Sequence, residues 1–248
     1  MNKPHMFWGI DNTLNSTDAF ENRRGMLSAG MVYTCDNQWR YTVPKCKELF
    51  VDSGGFQVTA RWDLEYPYSV ETLFEYAERV GADYLAAPDY ACEPELHDST
   101  VSNRIGMTVE GHAQAMALYE DREWSFQLVP VLQGYEVEDY EHCIDWFESE
   151  GMIRDYMAVG TVCKRDRVKS IHNVLQAIKR KLPDVDLHMF GMTLNAWKDR
   201  RLWGQFKSAD TAAWNWGCGT QEEKKRALKE YEQKINRIET AIAVQSTL

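Results

Sequence analysis

From Phe50 onward the chain repeats one pattern that few folds can hold. A short apolar run ends on a polar or glycine tip, and a stretch with apolar residues at helical spacing follows. "ELFVD" precedes "VETLFEYAERVG", in which Val70, Leu73, Phe74, Ala77 and Val80 fall on one helical face. "DYLAAPD" leads, past Pro88, to a helix predicted over 103–119. "FQLVPVLQG" pairs with "VEDYEHCIDWFESEG", "DYMAVGT" with "SIHNVLQAIKRKL", and "DLHMFGM" with "NAWKDRRLWGQF", with "KSADT" as a last short strand. Strand runs that are apolar throughout are covered on both faces, which means a parallel sheet with helical crossovers. About six such units after a β-rich N-terminal segment favour a closed sheet, so the expected fold is α/β, a (β/α)8 TIM-like barrel. "TQEEKKRALKEYEQKINRIETAIAV" reads as a long charged helix with an apolar stripe of Ala227, Tyr231, Ile235, Ile238 and Ile242. With no linker, repeat or low-complexity segment, one domain is expected over residues 1–248.

Length agrees with this reading, since 248 residues is the size of a single α/β barrel. The start, "MNKPHMFWGIDNTLN", lacks an apolar signal-peptide core, and no run is long enough to cross a bilayer. A soluble cytoplasmic protein with no membrane partner is expected. The six cysteines are irregularly spaced with no CxxC pair, which predicts reduced thiols and no structural zinc. A net charge of -10 suits a poor general phosphate binder, but the charge is uneven. Residues 160–210 hold 11 Lys plus Arg against 5 Asp, so this segment carries +6 on an acidic body. One nucleic-acid-facing side is compatible with that, and so are ordinary solvated helix faces.

The strand tips carry the chemistry. They are Asp52 with Ser53, Asp89, Gln133 with Gly134, Gly160 with Thr161, Gly191, and Asp210 with Thr211. A parallel barrel puts every strand's C-terminal end on one face, where the active site lies. A single aspartate at a strand end is more often a turn former or cap, but several polar tips on one face weaken that reading. The set contains no serine or cysteine triad and no phosphate-cradling GxxxxGK. It suits a planar purine-like base: Asp89 accepting from N–H groups, Gln133 or the Gly160 amide donating to a carbonyl, and Phe56 stacking. Asp52 and Asp210 are then a carboxylate pair of the kind that cleaves a glycosidic bond with retention.

"VDSGGFQ" resembles the signature of the tRNA-guanine transglycosylases. In order along the chain, "AAPDYACEPE", "VPVLQGY", "YMAVGTV", "LHMFGM" and "SADTAAW" resemble that family's further segments, from about Leu49 to Trp216. The resemblance implies that Asp210 is the nucleophile and Asp52 the general acid/base. It implies that Ser53, Gly54, Gly55, Phe56, Asp89, Gln133, Gly134 and Gly160 bind the base. It also implies a free 7-deazaguanine as incoming partner, with no redox cofactor and no catalytic metal. The tRNA enzymes carry a zinc subdomain built on three cysteines and a histidine after the nucleophile, whereas here Cys218 stands alone. The chain therefore resembles the phage and bacterial branch that inserts 7-deazaguanines into DNA. DNA contacts are expected from Lys164, Arg165, Arg167, Lys198, Arg200 and Arg201, and one of Trp197, Trp203, Trp214 or Trp216 is a candidate to stack on a base. The alternatives are a tRNA enzyme that manages without zinc, a non-catalytic nucleic-acid-binding paralogue, a sugar hydrolase, or a metal site on Asp89, Glu93 and His97. Self-association or a partner protein is left open.

Overall fold

The computed structural model of the protein describes residues 3–10, 19–34, 36, 38–40, 42–162 and 168–245. The chain runs β1 (His5–Gly9), β2 (Arg24–Ser28), α1 (Ala29–Val32), β3 (Glu48–Asp52), α2 (Gly55–Arg61), α3 (Val70–Val80), β4 (Tyr84–Ala86) and α4 (Val101–Asp121). It continues β5 (Gln127–Val129), β6 (Val131–Leu132), α5 (Val137–Ser149), β7 (Tyr156–Val159), α6 (Val168–Lys181), β8 (Asp186–Met189), α7 (Leu194–Lys198), β9 (Ser208–Thr211) and α8 (Gln221–Gln245). All strand pairs are parallel, in the order β5-β4-β3-β2-β1-β9-β8-β7-β6. Because β5 and β6 are separated only by Pro130, the sheet returns to the stretch where it began, giving a nearly closed nine-stranded parallel barrel.

Pro130 explains why the expected single strand is two. It has no N–H for the ladder, although its carbonyl still accepts from the Ala158 N–H at 2.7 Å. The Val131 N–H turns to Nε2 of His112, also at 2.7 Å. Burial drives the His112 pKa down to about 4, which leaves that ring nitrogen free to accept. A buried histidine on α4 thus satisfies the donor that the barrel leaves over.

Side chains alternate along each strand, and one set meets inside the barrel. Phe7, Met26, Phe50, Ala86, Val129, Val131, Tyr156 and Ala158 form this inner cluster, with Tyr84 and Phe190 against it. The outward set joins the helices in the larger core; Trp8, for example, meets Tyr231 of α8 edge-on. Continuing the inward set two residues at a time brings Ser28, Asp52, Gln133, Gly160 and Asp210 to the mouth.

The helices begin and end where local chemistry directs. Ser69 caps α3 through the Thr72 N–H, and Gly81 ends it in the left-handed conformation. Thr100 caps α4, which spans two residues more at each end than predicted. The stripe on α8 also includes Leu228, which is buried with Tyr231, Ile235 and Ile242. The prediction fails at "NAWKDRRLWGQF", where the helix ends at Lys198. Asp199 accepts from the Arg201 N–H and guanidinium, and a run of turns carries the chain to Gly204 at φ +83°. Among the described residues, Cys46, Cys92, Cys143 and Cys218 are free thiols, and no helix is long and apolar enough to cross a membrane.

Candidate active site at the barrel mouth

Asp89, beyond the end of β4, is the centre of one wall. It is only 4% exposed, and its carboxylate accepts from Ser53 Oγ (2.8 Å) and from Gln133 Nε2 (2.5 Å). Burial raises its pKa to about 6, against the lowering effect of those two donors, and Glu93 adds repulsion. Gln133 is oriented in turn by Thr161, whose hydroxyl donates to Oε1 at 2.6 Å and accepts the Cys92 N–H at 2.8 Å. Thr161 does this from φ +55°, a strained conformation for a β-branched residue. The Tyr66 hydroxyl donates to the Asp89 carbonyl (2.8 Å) and accepts its N–H (3.0 Å), while Tyr68 donates to the Ser53 carbonyl at 2.6 Å. Burial, with the charge of Asp89 on Tyr66 and of Asp52 and then Asp89 on Tyr68, holds both phenol pKa values well above normal, so both stay donors. Behind the loop, buried Arg104 donates to the carbonyls of Ala91 and Glu93.

The glycines of this wall face protein. Gly54 sits at φ +91°, and a Cβ there would lie 2.8 Å from the Gly30 nitrogen. A Cβ on Gly55 would come within 2.5 Å of Asp89 Oδ1, and one on Gly160 within 2.6 Å of the Gln133 amide carbon. Their smallness lets Asp89 and Gln133 come together; a floor for a flat ligand is not needed to explain it. Gly160 also has no amide to offer, because its N–H donates to the Leu132 carbonyl at 2.9 Å and its own carbonyl accepts from Tyr140. Gly134 packs against the start of α5, where a Cβ would meet the Tyr140 nitrogen at 2.8 Å. Phe56 is half-buried in the first turn of α2.

Asp52 ends β3, in register with Ser28 at the end of β2. Burial, followed by the negative charge of Asp89, raises its pKa to about 7. The Ser28 hydroxyl and the Gly54 N–H pull the other way, and Asp210 adds a smaller repulsion. A carboxyl that titrates near neutrality can both give and take a proton.

Asp210 lies on β9 and is 8% exposed. Its Oδ1 accepts the Gly191 N–H at 2.7 Å, with Gly191 in the left-handed region beyond β8, and its own carbonyl accepts from Met192. His188 Nε2 lies 3.5 Å from the same Oδ1. The histidine is fully buried among Phe7, Phe50 and Phe190, with Nδ1 2.7 Å from Ser208 Oγ, which is 2.6 Å from the Tyr156 hydroxyl.

The fold therefore brings Asp52, Ser53, Asp89, Gln133, Gly160 and Asp210 to one mouth. Tyr66, Tyr68, Arg104 and His188 are additions that the sequence reading missed, and Thr161, read there only as a strand tip, gains a role in orienting Gln133. A histidine in the middle of an apolar strand, "DLHMF", was the one local signal for the last of these. Lys164, Arg165 and Arg167 fall outside the described residues. Lys198 and Arg201 are exposed, but Arg201 is held by Asp199. Trp197, Trp203 and Trp214 are buried, whereas Trp216, in the loop after β9, is 80% exposed. The Asp89, Glu93 and His97 grouping does not converge: His97 turns to Asp63 at 3.0 Å, and among the described residues no three His, Cys, Asp or Glu side chains gather to hold a metal.

Carboxylates and a carboxamide gathered at the C-terminal mouth of a parallel barrel lie where folds of this class carry their active sites. The particular family follows from comparison. The family model described as "DpdA: DeoxyPurine in DNA protein A" matches residues 31–227, most of the chain, and the protein belongs to that family. No curated protein matches the chain.

Proposed function

We propose that the protein is a DNA-guanine transglycosylase that exchanges guanine for a free 7-deazaguanine through a covalent aspartyl intermediate. One observation carries the reading: a member of a family described by a deoxypurine in DNA brings three aspartates to one mouth, one of them with a pKa near 7. An oxygen of Asp210 bonds to C1′ as the bond from C1′ to guanine breaks, and protonated Asp52 gives its proton to the leaving base. The incoming base returns a proton to the Asp52 carboxylate and attacks C1′, which releases Asp210. The exchange is redox-neutral and regenerates both carboxylates. Asp89, with Ser53 and Gln133, reads the polar edge of the base. Each Asp89 oxygen already holds one donor and has a lone pair left for the ligand. The target nucleotide must be flipped out of duplex DNA, which costs a few kcal/mol. We read the barrel as (β/α)8, counting the strand broken at Pro130 once, and the chain as one transglycosylase domain over 1–248.

The test offers labelled guanine with duplex DNA and with tRNA in separate reactions. Label entering DNA supports the reading. Label entering tRNA alone overturns DNA as substrate, and label entering neither overturns the exchange activity.

A further inference from the structure

No step of the exchange written above uses His188. Its surroundings are nevertheless specific. His188 and Ser208 are register partners on β8 and β9, and Asp210 is the next inward residue above Ser208. The ring is wedged between Phe7, Phe50 and Phe190, with centroids 5.6, 4.7 and 5.0 Å away, so it has little freedom to turn. Nδ1 meets Ser208 Oγ at 2.7 Å, and Oγ meets the Tyr156 hydroxyl at 2.6 Å. Nε2 is buried and makes no hydrogen bond, yet it faces Asp210 Oδ1 at 3.5 Å.

The chain of bonds has a direction. Burial keeps the Tyr156 phenol protonated, and among the described residues the hydroxyl's one hydrogen-bond partner is Ser208 Oγ. If the phenol donates to Ser208, the serine hydroxyl donates to Nδ1, and the ring proton then lies on Nε2. That proton points at Asp210. Oδ1 receives the Gly191 N–H from one side and faces Nε2 from the other, while Oδ2 accepts no bond among the described residues. Catalytic hydrogen bonds are often long in the free enzyme and tighten when substrate is bound.

We propose that His188 is a positioning residue for Asp210. Through the Tyr156–Ser208–His188 chain it presents Nε2–H to Oδ1, fixes the carboxylate plane, and leaves Oδ2 as the atom that attacks C1′. This rests on the reading of Asp210 as nucleophile and adds which of its oxygens reacts and what selects it. Because the contact orients the carboxylate for attack and touches no part of the DNA, its loss falls on turnover and not on DNA binding.

The experiment compares guanine exchange into duplex DNA by the parent with His188→Phe, His188→Gln, Ser208→Ala and Tyr156→Phe, with melting temperature recorded for each. His188→Phe keeps a ring among rings and removes the donor; kcat is expected to fall by about 10- to 100-fold with KM for DNA unchanged, the range typical of lost orientation. His188→Gln, whose amide can donate, restores part of kcat. Ser208→Ala, which leaves the ring packing intact, lowers kcat by about three- to tenfold, and Tyr156→Phe by less. If His188→Phe does not fold, Ser208→Ala against Tyr156→Phe carries the test. Unchanged kcat in the folded variants, or equal losses in Phe and Gln at position 188, overturns the proposal. Asp210→Ala run in parallel separates the two ideas. If it exchanges normally, the nucleophile assignment itself fails. If it is inactive while His188→Phe and Ser208→Ala are fully active, only the role of His188 fails.

Discussion

Asp89 and Asp210 belong to the same mouth, with β3, β2 and β1 between their strands, yet they are held in different ways. Both oxygens of Asp89 accept side-chain donors, and the Tyr66 hydroxyl fixes its backbone at both the N–H and the carbonyl. Asp210 has one oxygen anchored by a backbone N–H and one that accepts no bond among the described residues. A carboxylate locked at both oxygens suits recognition, because its direction is decided before the ligand arrives. A carboxylate with one free oxygen suits nucleophilic attack, because full hydrogen bonding would stabilise the charge it must share. Asp52, on β3 beside the first, is the proton carrier in the proposed exchange, with a pKa raised to about 7 by burial and by Asp89.

The sharpest way to break this contrast is to remove each acid in turn. Asp210→Ala is expected to lower exchange by about 10³- to 10⁴-fold, the scale of losing a nucleophile, while filter binding to DNA stays within a few-fold of the parent. Gly55→Ala attacks the other wall without touching a charge. Its new methyl would overlap Asp89, so KM for the free base should rise by about tenfold and the fold should lose about 1–3 kcal/mol in a denaturant melt. Equal effects of Gly55→Ala on kcat and KM would mean that Asp89 does more than recognise.

The pH dependence follows from the raised pKa of Asp52. The folded state holds a proton that the unfolded chain has released between about pH 4 and 7, so this group favours folding more as pH falls through that window. Asp52→Asn should therefore raise the melting temperature at pH 8 and leave it little changed near pH 4. Guanine release, which needs the protonated acid, should slow above about pH 7 in a single-turnover profile, and Asp89→Asn should shift that limb downward by removing the repelling charge. The smallest effect is expected at the exposed Trp216. Replacement by Ala removes an exposed ring from the loop after β9, and KM for duplex DNA should rise by about tenfold or less, with KM for the free base and stability unchanged.

Much of this was legible in the sequence, because strand tips are local features. "LFVDSGG" and "AAPD" each show an apolar run ending on an acid, "SADT" puts an acid near the end of a short strand, and parallel closure brings such ends together. The helix after β8 was misread since Asp199 captures Arg201 from two residues away, a competition that helical spacing does not reveal. His188 was missed, and Thr161 was seen only as a strand tip, for a different reason. Their roles depend on partners 20 and 28 residues away, and no local pattern encodes those contacts. The same holds for the glycines: Gly55 is small because Asp89, from the next strand unit, occupies the space.

The most direct measurement is to find the covalent bond. The protein is incubated with duplex DNA in the absence of added base, digested, and the peptides carrying Asp52, Asp89 and Asp210 are examined by mass spectrometry for a glycosyl-linked nucleotide. With Asp210 as nucleophile the adduct lies on the peptide containing Ser208–Thr211 and vanishes in Asp210→Ala. An adduct on Asp52 or Asp89, or undiminished exchange by Asp210→Ala, contradicts it.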